Sequence, residues 1–425
     1  MAWSVERSSL SRETGEMLRK ELYFPPKVSY SGQEGQPLLC LASTEKQALL
    51  PFAYGRKVFP KVHSKPRTCF SFLGQPKAEQ VRPLQEAIYH LSSSGSVLLE
   101  LPTGFGKTVC ATYLAPLCAS LTCVTYPLII LEDQWLKTFS TLTNAVVWVN
   151  GTRPPEDWGK VQVILSMQGK LEKIPEEILS RIGCLIVDEA HAFCTTKRYA
   201  RLLKIQPEYL IGLTATPDRE DGMGKALILM FKNFVRTLTQ KKARVYKCYT
   251  QISPVSKKQR NGKLDWNALL NDLAASDVRN QQILRLIAAN SQHKILVLTS
   301  RKAHARELSQ LVAQTGEKVA LMIGGIKNYS DSRVLVGTAG KLGTGFDEEA
   351  ACKDFQGEKF DLLILAFSTK SVSLLTQLFG RVFRSGFPLM IDMVDNHGSI
   401  AKHWKIRENY YRSKNYEIEE ILAPS

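Results

Sequence analysis

Short apolar runs alternate with segments of helical apolar spacing through most of the chain. The runs in the first half cover residues 97–101, 121–126, 146–149, 161–166, 184–188 and 209–214. Those in the second half cover residues 294–299, 318–323, 333–337, 361–366 and 389–394, with helical spacing over 302–315 and 371–379. Continuous apolar runs of this length, separated by helices, indicate parallel strands that are covered by helices on both faces. The pattern therefore predicts an α/β protein with two similar halves.

The segments outside these halves predict three appendages. We expect an N-terminal accessory domain, a first α/β domain, a basic linker or insert, a second α/β domain and a helical tail, at residues 1–75, 76–235, 236–280, 281–398 and 399–425. The N-terminal segment holds short strand-like fragments broken by Pro and Gly. The linker has turn signals at Pro254 and at Asn261-Gly262. The tail contains HWKIRENYYR, whose spacing is that of an amphipathic helix.

Residues 101–108, with the sequence LPTGFGKT, lie between the first apolar run and a segment of helical spacing. A loop in this position directs backbone N–H groups at an anion, at the positive end of the helix dipole. Lys107 would reach the β- and γ-phosphates of a nucleotide, and the Thr108 hydroxyl would hold Mg²⁺. The strict form of this pattern begins with glycine, where this chain has Leu101. The loop predicts binding of a nucleoside triphosphate through Pro102, Thr103, Gly104, Phe105, Gly106, Lys107 and Thr108.

Two adjacent carboxylates end a later apolar run, in the sequence CLIVDEAH. Asp188 would lie at the end of the strand, where it can reach the Mg²⁺ held by Thr108. Glu189 can polarise the attacking water as a general base. His191 can carry a hydrogen-bonded link toward the second half. An Asp-Glu pair on a surface is commonly only solvated, but one that follows a buried strand and a phosphate loop predicts triphosphate hydrolysis.

The composition indicates a polyanionic partner. The chain has 425 residues, 44% of them apolar, which is enough for two cores, and a formal net charge of +16. No acidic residue occurs between Asp221 and Asp265, whereas that interval holds Lys225, Lys232, Arg236, Lys241, Lys242, Arg244, Lys247, Lys257, Lys258, Arg260 and Lys263. A solvated charged face is the ordinary explanation of a basic run, but such faces mix both signs. The interval therefore favours contact with nucleic acid.

The composition also limits where in the cell we expect the protein. No apolar run approaches the roughly 18 residues of a membrane span, and the first thirty residues lack the apolar segment of a secretory signal. Nine cysteines without CxxC pairs predict free thiols in a reducing compartment. The seven histidines show no metal-ligand spacing. We expect an intracellular protein, cytoplasmic or nuclear, and KKAR or SKKQR could serve nuclear import.

Further motifs follow one another in an order that resembles a known family. They are VRPLQ, TYPLIILEDQW, ILSMQGKL, GLTATPDREDG, VLVGTAGKLGTGFD and QLFGRVFR, at residues 81–85, 125–135, 164–171, 212–222, 334–347 and 377–384. Together with the phosphate loop and the DEAH sequence, they resemble the superfamily-two helicases and translocases across about residues 76–395. Each short motif alone is weak, but the ordered set is specific. The resemblance implies two tandem RecA-like domains.

One branch of that superfamily is most similar in detail. Arg219-Glu220-Asp221 resembles the RED element of helicases related to the general transcription and repair helicase, including transcript-release and repair helicases of large DNA viruses and phages. The interval from Thr338 to Gly345 is one residue longer than in DEAD-box RNA helicases. Only about forty residues follow QLFGRVFR, so we expect the carboxy-terminal modules of DEAH-type splicing helicases to be absent. A viral member would act in the host cytoplasm or be carried in the virion.

The resemblance also implies roles for residues, with ATP and Mg²⁺ as cofactors. Gln85 would bind the adenine, although Leu84 replaces the usual aromatic residue before it. The residues that would couple hydrolysis to domain movement are His191, Thr214, Thr216 and Gln377. The second domain would contribute Gly345, Asp347, Arg381 and Arg384 to the nucleotide. The two arginines lie three apart on one helical face, and a guanidinium that neutralises the transferring phosphoryl group is worth about 10³–10⁵ in rate in comparable enzymes.

Contacts to nucleic acid are expected at phosphates, which carry no sequence information. The implied contact residues are Pro127, Gln134, Arg219, Arg301 and Thr338. Trp135 could stack on a base, but its neighbours Leu131, Leu136 and Phe139 favour packing in the core.

The sequence therefore predicts an ATP-dependent helicase or translocase that acts as a monomer. We expect DNA rather than RNA as its substrate, and transcription or repair machinery as further partners. Two alternatives stay open: an RNA helicase, and a non-enzymatic scaffold that binds nucleic acid. A scaffold has no need to keep Lys107, Asp188, Glu189 and Arg384. A restriction motor would need a nuclease domain, for which the chain shows no candidate.

Overall fold

The chain forms two compact units, Met1–Leu238 and Thr239–Ser425. The computed structural model describes residues 2–25, 37–59, 64–102, 104–215, 223–237, 242–342, 346, 348–382 and 387–424. Within these residues, no helix combines the length and the apolar character that crossing a bilayer requires. Each unit contains a seven-stranded parallel sheet with helices, so the predicted fold class of tandem RecA-like domains is confirmed.

The first unit contains twelve strands and eight helices among its described residues. Its strands are β1 (Ala2–Glu6), β2 (Tyr23–Phe24), β3 (Leu38–Leu39), β4 (Ala42–Ser43), β5 (Gln47–Pro51), β6 (Ser96–Glu100), β7 (Thr122–Tyr126), β8 (Val147–Val149), β9 (Val163–Met167), β10 (Cys184–Val187), β11 (Tyr209–Thr214) and β12 (Phe234–Arg236). Its helices are α1 (Arg12–Glu21), α2 (Phe52–Val58), α3 (Ala78–Ser94), α4 (Lys107–Leu114), α5 (Ile130–Leu142), α6 (Glu176–Arg181), α7 (Thr196–Leu203) and α8 (Ala226–Met230).

The parallel sheet of this unit has the order β12-β6-β11-β10-β7-β9-β8. Alternate residues of its strands enter different apolar clusters: Leu98 and Leu185 belong to one, and Val97 and Ile186 to another. Both faces are buried, which explains why these strands are continuous apolar runs. All six strands predicted in this half are present. The three-residue strand β12, at the edge beside β6, was not predicted.

The N-terminal segment forms an accessory layer. Strands β1, β5 and β4 make a small antiparallel sheet, and β2 pairs with β3. Trp3 and Phe52 of this layer lie in the same apolar cluster as Leu98 and Leu202 of the main α/β fold. Gly55 on α2 is in close contact with Trp3, since a Cβ at Gly55 would lie 2.2 Å from that of Trp3. The accessory layer therefore shares its core with the first α/β domain.

The second unit contains seven strands and seven helices among its described residues. Its strands are β13 (Arg244–Tyr249), β14 (Ile295–Thr299), β15 (Val319–Met322), β16 (Val334–Thr338), β17 (Leu362–Leu365), β18 (Leu389–Val394) and β19 (Glu417–Leu422). Its helices are α9 (Trp266–Ala274), α10 (Asp277–Ala289), α11 (Lys302–Gln314), α12 (Ala339–Leu342), α13 (Glu348–Ala351), α14 (Val372–Val382) and α15 (Gly398–Ser413). The sheet order is β15-β16-β14-β17-β18-β13-β19.

Two strands of this sheet come from segments that we expected to be appendages. Strand β13 lies in the segment predicted as a basic linker or insert, and β19 follows α15 in the predicted helical tail. Their register places Arg244 beside Glu417 and Lys247 beside Glu420, with Nη2–Oε2 and Nζ–Oε1 distances that are both 2.9 Å. Part of the basic interval is therefore neutralised by the neighbouring strand rather than offered to a partner. The pair of Arg244 and Glu417, the more exposed of the two, contributes about 0.2–1 kcal/mol.

Two buried ion pairs fix helices to strand β18 and the residues that follow it. The Arg407 guanidinium donates to both carboxylate oxygens of Asp392, at 2.8 and 2.9 Å, and the Tyr411 hydroxyl donates to the same carboxylate at 2.8 Å. Arg279 of α10 donates to both oxygens of Asp395, at 2.7 and 3.1 Å. Arg407 and Asp392 are both fully buried. Their charges depend on each other, because neither can reach water.

A buried histidine makes the stability of the second unit depend on pH. His304 of α11 pairs its Nε2 with Asn280 Oδ1 at 2.9 Å, and burial and the nearby Arg279 charge lower its pKa to about 3, against an opposing effect of Asp395. An unfolded histidine has a pKa of about 6.5. Below that pH, the unfolded chain binds a proton that the folded chain does not. The stability contributed by neutral His304 is therefore complete above about pH 6.5 and falls toward pH 3 by about 1.4 kcal/mol per pH unit.

We expect the wild type to lose about 1 kcal/mol more than His304→Gln when the pH falls from about 7.5 to 5.5. Urea unfolding, followed by circular dichroism at both pH values, measures the difference. Glutamine keeps a donor for Asn280 but does not titrate. Equal losses in the two proteins would show that His304 is protonated in the folded state.

Candidate nucleotide site

The candidate site lies at the carboxyl edge of the first parallel sheet, the usual place for ligands in such folds. Strand β6 leads into the loop that precedes α4, and β10 leads into Asp188. Strand β11 ends with Thr214, whose register partner is Glu100 of β6. Because β6, β11 and β10 are adjacent in the sheet, the loop, the two carboxylates and Thr214 are brought together.

Backbone conformation shapes the loop for an anion. Gly104 and Gly106 have φ values of 82° and 89°, in the left-handed region that favours glycine. A Cβ at Gly106 would lie 2.6 Å from Gln80 Nε2. Helix α4 begins at the next residue, Lys107, so the amide end of the helix faces the loop. The residues present therefore fit a nucleotide phosphate.

A buried glutamine that the sequence did not single out supports this loop. Gln80 is 2% exposed, and its Nε2 donates to the Phe105 carbonyl at 2.9 Å. Its Oε1 accepts from the Lys77 backbone N–H at 3.0 Å. Gln85, the predicted adenine contact, is exposed on α3, one and a half turns further along the helix. The sequence could have indicated that Gln80 caps helix α3, but it could not have indicated that Gln80 contacts the loop.

We expect Gln80→Ala to raise the KM for ATP about tenfold and to lower the free energy of unfolding by about 1–3 kcal/mol. The variant leaves the buried Phe105 carbonyl without its donor, and the loop loses its support. Steady-state kinetics and thermal unfolding measure the two effects. Glu79→Ala, an exposed change on the same turn of α3, is the matched control. A normal KM in Gln80→Ala would contradict a role in supporting the loop.

Lys107 and Thr108 are both hydrogen-bonded at the site. Lys107 Nζ donates to the carbonyls of Leu101 and Pro102, at 3.2 and 3.4 Å. Thr108 Oγ1 accepts from Gln134 Nε2 at 3.3 Å. Gln134 was predicted to contact nucleic acid, yet the structure places its amide beside the predicted magnesium ligand.

Asp188 is a buried carboxylate held by two donors. Its Oδ2 accepts from the Trp135 indole N–H at 2.9 Å, and its Oδ1 from the Glu189 backbone N–H at 2.9 Å. Burial and the neighbouring Glu189 raise the pKa of Asp188 to about 6, while the Trp135 hydrogen bond and the Lys107 charge oppose that rise. A divalent cation here would offset the cost of the buried charge. Trp135 is fully buried, so its interpretation as a core residue holds and stacking on a base does not.

Three of the residues predicted for catalysis and coupling, Glu189, His191 and Thr214, form a chain of contacts. Glu189 has a left-handed backbone with φ of 47°, which is strained for a residue with a Cβ. Its Oε2 lies 3.4 Å from His191 Nδ1, and the same nitrogen lies 2.9 Å from Thr214 Oγ1. The structure thus connects the predicted base to the end of strand β11.

Other predicted residues lie at the ends of strands or outside the described residues. Pro127 follows β7, and Leu128 and Ile129 beside it are exposed. In the second unit, Thr338 ends β16, Arg301 donates from Nη2 to Asn267 Oδ1 at 2.6 Å, and Gln377 lies on α14. The predicted residues outside the described part are Thr103, Thr216, Arg219, Gly345, Asp347, Arg384 and the side chain of Arg381.

Comparisons with known proteins agree with this arrangement. The family model described as "Type III restriction enzyme, res subunit" matches residues 74–219. "Putative helicase 161L" of Invertebrate iridescent virus 6 is 27% identical over 431 residues, covering 92% of this chain and 95% of that protein. The chain is thus similar to a viral helicase over nearly its whole length. "Putative helicase 055L" of Frog virus 3 is similar to this chain at 29% identity over 380 residues, which are 86% of this chain and 84% of that one.

Solved structures resemble the chain in fold. A fragment of a type I restriction enzyme HsdR subunit from Vibrio vulnificus YJ016 has a TM-score of 0.59 at 16% identity, over 83% of this chain and 69% of that chain. S. cerevisiae Dbp5 bound to RNA and ADP BeF3 has a TM-score of 0.56 at 14% identity, over 80% and 90%. These identities support the tandem RecA-like fold alone. The viral relatives and the family match agree with a helicase that hydrolyses ATP.

Proposed function

We propose that this helicase binds MgATP at the loop of the first unit, hydrolyses it with Glu189 as the base, and uses the cycle to translocate along or unwind DNA. One observation carries the proposal: Lys107 and Thr108 lie at the same sheet edge as Asp188 and Glu189, although about eighty residues of sequence separate the first pair from the second. Transcription or repair is the proposed setting.

Each residue has a role that its surroundings support. The glycine conformations at the loop allow backbone N–H groups to approach the phosphates. Lys107, which contacts the Leu101 and Pro102 carbonyls, can turn to a phosphate oxygen instead. Thr108 and Asp188 offer the oxygen ligands that Mg²⁺ prefers. Bound Mg²⁺ would neutralise charge on the transferring phosphoryl group.

Glu189 accepts the proton of the attacking water. His191 orients this carboxylate, with 3.4 Å between His191 Nδ1 and Glu189 Oε2. His191 also contacts Thr214. A change in the charge of Glu189 would therefore alter the hydrogen bond between His191 and Thr214 at the end of β11. We propose that Thr214, Thr216 and Gln377 couple this step to movement of the chain. Gln85 is the proposed adenine contact, and Gly345, Asp347, Arg381 and Arg384 are the proposed contribution of the second unit.

DNA is the substrate we propose first, and RNA is the second candidate. The resemblance of Arg219-Glu220-Asp221 to the element of transcription and repair helicases supports the first. The name of a relative supports the second: "Putative ATP-dependent RNA helicase QP509L" of African swine fever virus is 25% identical over 78% of this chain and 72% of that protein. Pro127, Arg301 and Thr338 are proposed phosphate contacts in both cases, because phosphates do not distinguish the two polymers.

Stimulation of ATP hydrolysis by nucleic acid tests the proposal. Hydrolysis is measured without polymer and with single-stranded and duplex DNA and RNA of identical sequence. Strand displacement is then measured on duplexes with 3′ tails, 5′ tails or blunt ends. We expect larger stimulation by DNA. Stimulation by RNA alone would favour the second candidate, and the absence of hydrolysis with every polymer would reduce the protein to a binding scaffold.

A further inference from the structure

We infer that a basic hairpin of the second unit, residues 257–265, is a preformed contact for the phosphate backbone of nucleic acid. The inference rests on the proposed function, since it names the surface through which the second unit would hold the polymer. The hairpin lies in the interval between Asp221 and Asp265 that has no acidic residue.

The hairpin is built by its own backbone. The Gln259 N–H donates to the Lys263 carbonyl at 2.8 Å, and the Asp265 N–H donates to the Lys257 carbonyl at 2.8 Å. Lys258 and Leu264 form an antiparallel bridge between these bonds. Gly262 turns the chain with φ of 76°, as the Asn-Gly pair favours. The segment therefore has one defined conformation before any partner binds.

The base of the hairpin is fixed to the body of the second unit. The Val255 N–H donates to Asp272 Oδ2 at 2.8 Å, and Ser256 Oγ lies 2.8 Å from His397 Nε2. On the other side, Asp265 caps helix α9 by accepting from the Ala268 N–H at 3.0 Å. Both nearby carboxylates are thus engaged by backbone N–H groups. A fixed base means that little conformational entropy is lost when the tip binds.

The tip carries four exposed cations, Lys257, Lys258, Arg260 and Lys263. None of them forms an ion pair with another residue in the described part of the chain. Other cations of the same interval do: Arg244 and Lys247 pair with strand β19, and Arg236 pairs with Glu100. Some cations of the interval are therefore neutralised within the protein, whereas these four are presented to solvent together on one hairpin.

Four unneutralised cations on a rigid hairpin suit a regular array of negative charges better than a single anion. A nucleic-acid backbone is such an array, and each phosphate that a cation neutralises releases bound counterions. Binding through the hairpin must therefore weaken as salt rises. The slope of log affinity against log salt changes by about 0.9 per lost contact on duplex DNA and about 0.7 on single strands.

The test replaces Lys257, Lys258, Arg260 and Lys263 by glutamine in the full chain. A matched control replaces Arg19, Lys20, Lys402 and Lys414, four exposed cations elsewhere, and so makes the same change in net charge. Binding is measured without ATP by fluorescence anisotropy, so the result does not depend on hydrolysis. The probes are DNA and RNA oligonucleotides of about twenty units, longer than the roughly 4–16 that single-strand sites cover, as single strands and duplexes, with salt varied from about 50 to 200 mM.

We expect the hairpin variant to bind at least about tenfold more weakly near 0.1 M salt, with a slope shallower by roughly 2–4. The control should change affinity and slope much less. Wild-type affinity and slope in the hairpin variant would overturn the inference, as would an equal loss in the control. If the wild type bound nucleic acid through the hairpin but did not hydrolyse ATP, the proposed function would fail while the inference stood.

Crosslinking gives a second readout that does not depend on charge. A photo-reactive amino acid in place of Gln259, at the tip, should crosslink to the bound oligonucleotide. The same amino acid in place of Lys402, on the exposed side of α15, should not. Efficient crosslinking at the second position and none at the first would overturn the inference.

Discussion

Glu189→Gln is expected to lower the turnover number for ATP hydrolysis about 10²–10⁴-fold while leaving ATP binding intact. The amide has the shape of the carboxylate but cannot accept the proton of the attacking water. Lys107, Thr108 and Asp188 keep their contacts in this variant. Steady-state hydrolysis and equilibrium binding of a fluorescent nucleotide measure the two quantities separately.

Lys107→Ala provides the comparison, because it should lose nucleotide binding as well as hydrolysis. Glu177→Gln, an exposed change on α6, is the matched control and should behave as the wild type. Hydrolysis at the wild-type rate in Glu189→Gln would assign the base to another residue. Loss of nucleotide binding in Glu189→Gln would show instead that the side chain holds the loop together.

Arg407→Met is expected to destabilise the second unit by about 3–5 kcal/mol. The change leaves the Asp392 carboxylate charged, fully buried and with the Tyr411 hydroxyl as its remaining side-chain donor. Methionine has a similar length, so the loss of packing is small and the result reports mainly on the charge. Urea unfolding, followed by circular dichroism, measures the change in free energy.

Helix α15 supplies the matched control for this variant. Arg412 pairs with Glu408 on its exposed side, where the arginine side chain is 66% exposed. Arg412→Met should cost less than about 1 kcal/mol, since water screens that pair. Replacing Asp392 by leucine together with Arg407→Met should recover part of the loss, because no uncompensated charge remains. Equal effects of the two arginine changes would contradict the assignment of a buried pair.

The strands that could be predicted from the sequence are those buried on both faces. Strand β10 and the central residues of β6 and β14 form apolar runs because helices cover each side, so they can be predicted without knowledge of their partners. Strands β13 and β19 mix charged and apolar residues, and their charged side chains are paired across the two strands. That pairing joins residues 173 apart in the chain, a relation that local pattern does not contain.

The site shows the same division between local and distant relations. The phosphate loop and the Asp-Glu pair are each a short segment whose chemistry is readable from residue types. The contacts of Gln80 with Phe105, Gln134 with Thr108 and Trp135 with Asp188 span 25, 26 and 53 residues. They depend on the order of strands in the sheet, which the sequence left open. The position of Gln134 beside Thr108 is one such relation, and its contact with nucleic acid stays a prediction.

Helix α5 connects an exposed surface to the candidate nucleotide site. Its amino end adjoins the exposed Leu128 and Ile129, and its first two turns carry Trp135, whose indole holds the Asp188 carboxylate. At 1.5 Å of rise per residue, about 9 Å of rigid helix separates Ile129 from Trp135. A displacement of the exposed amino end of α5 along the helix axis would therefore move the Trp135 indole by nearly the same distance. Because the Trp135 hydrogen bond lowers the pKa of Asp188, movement of the amino end of α5 would change the acidity of this carboxylate within the first unit.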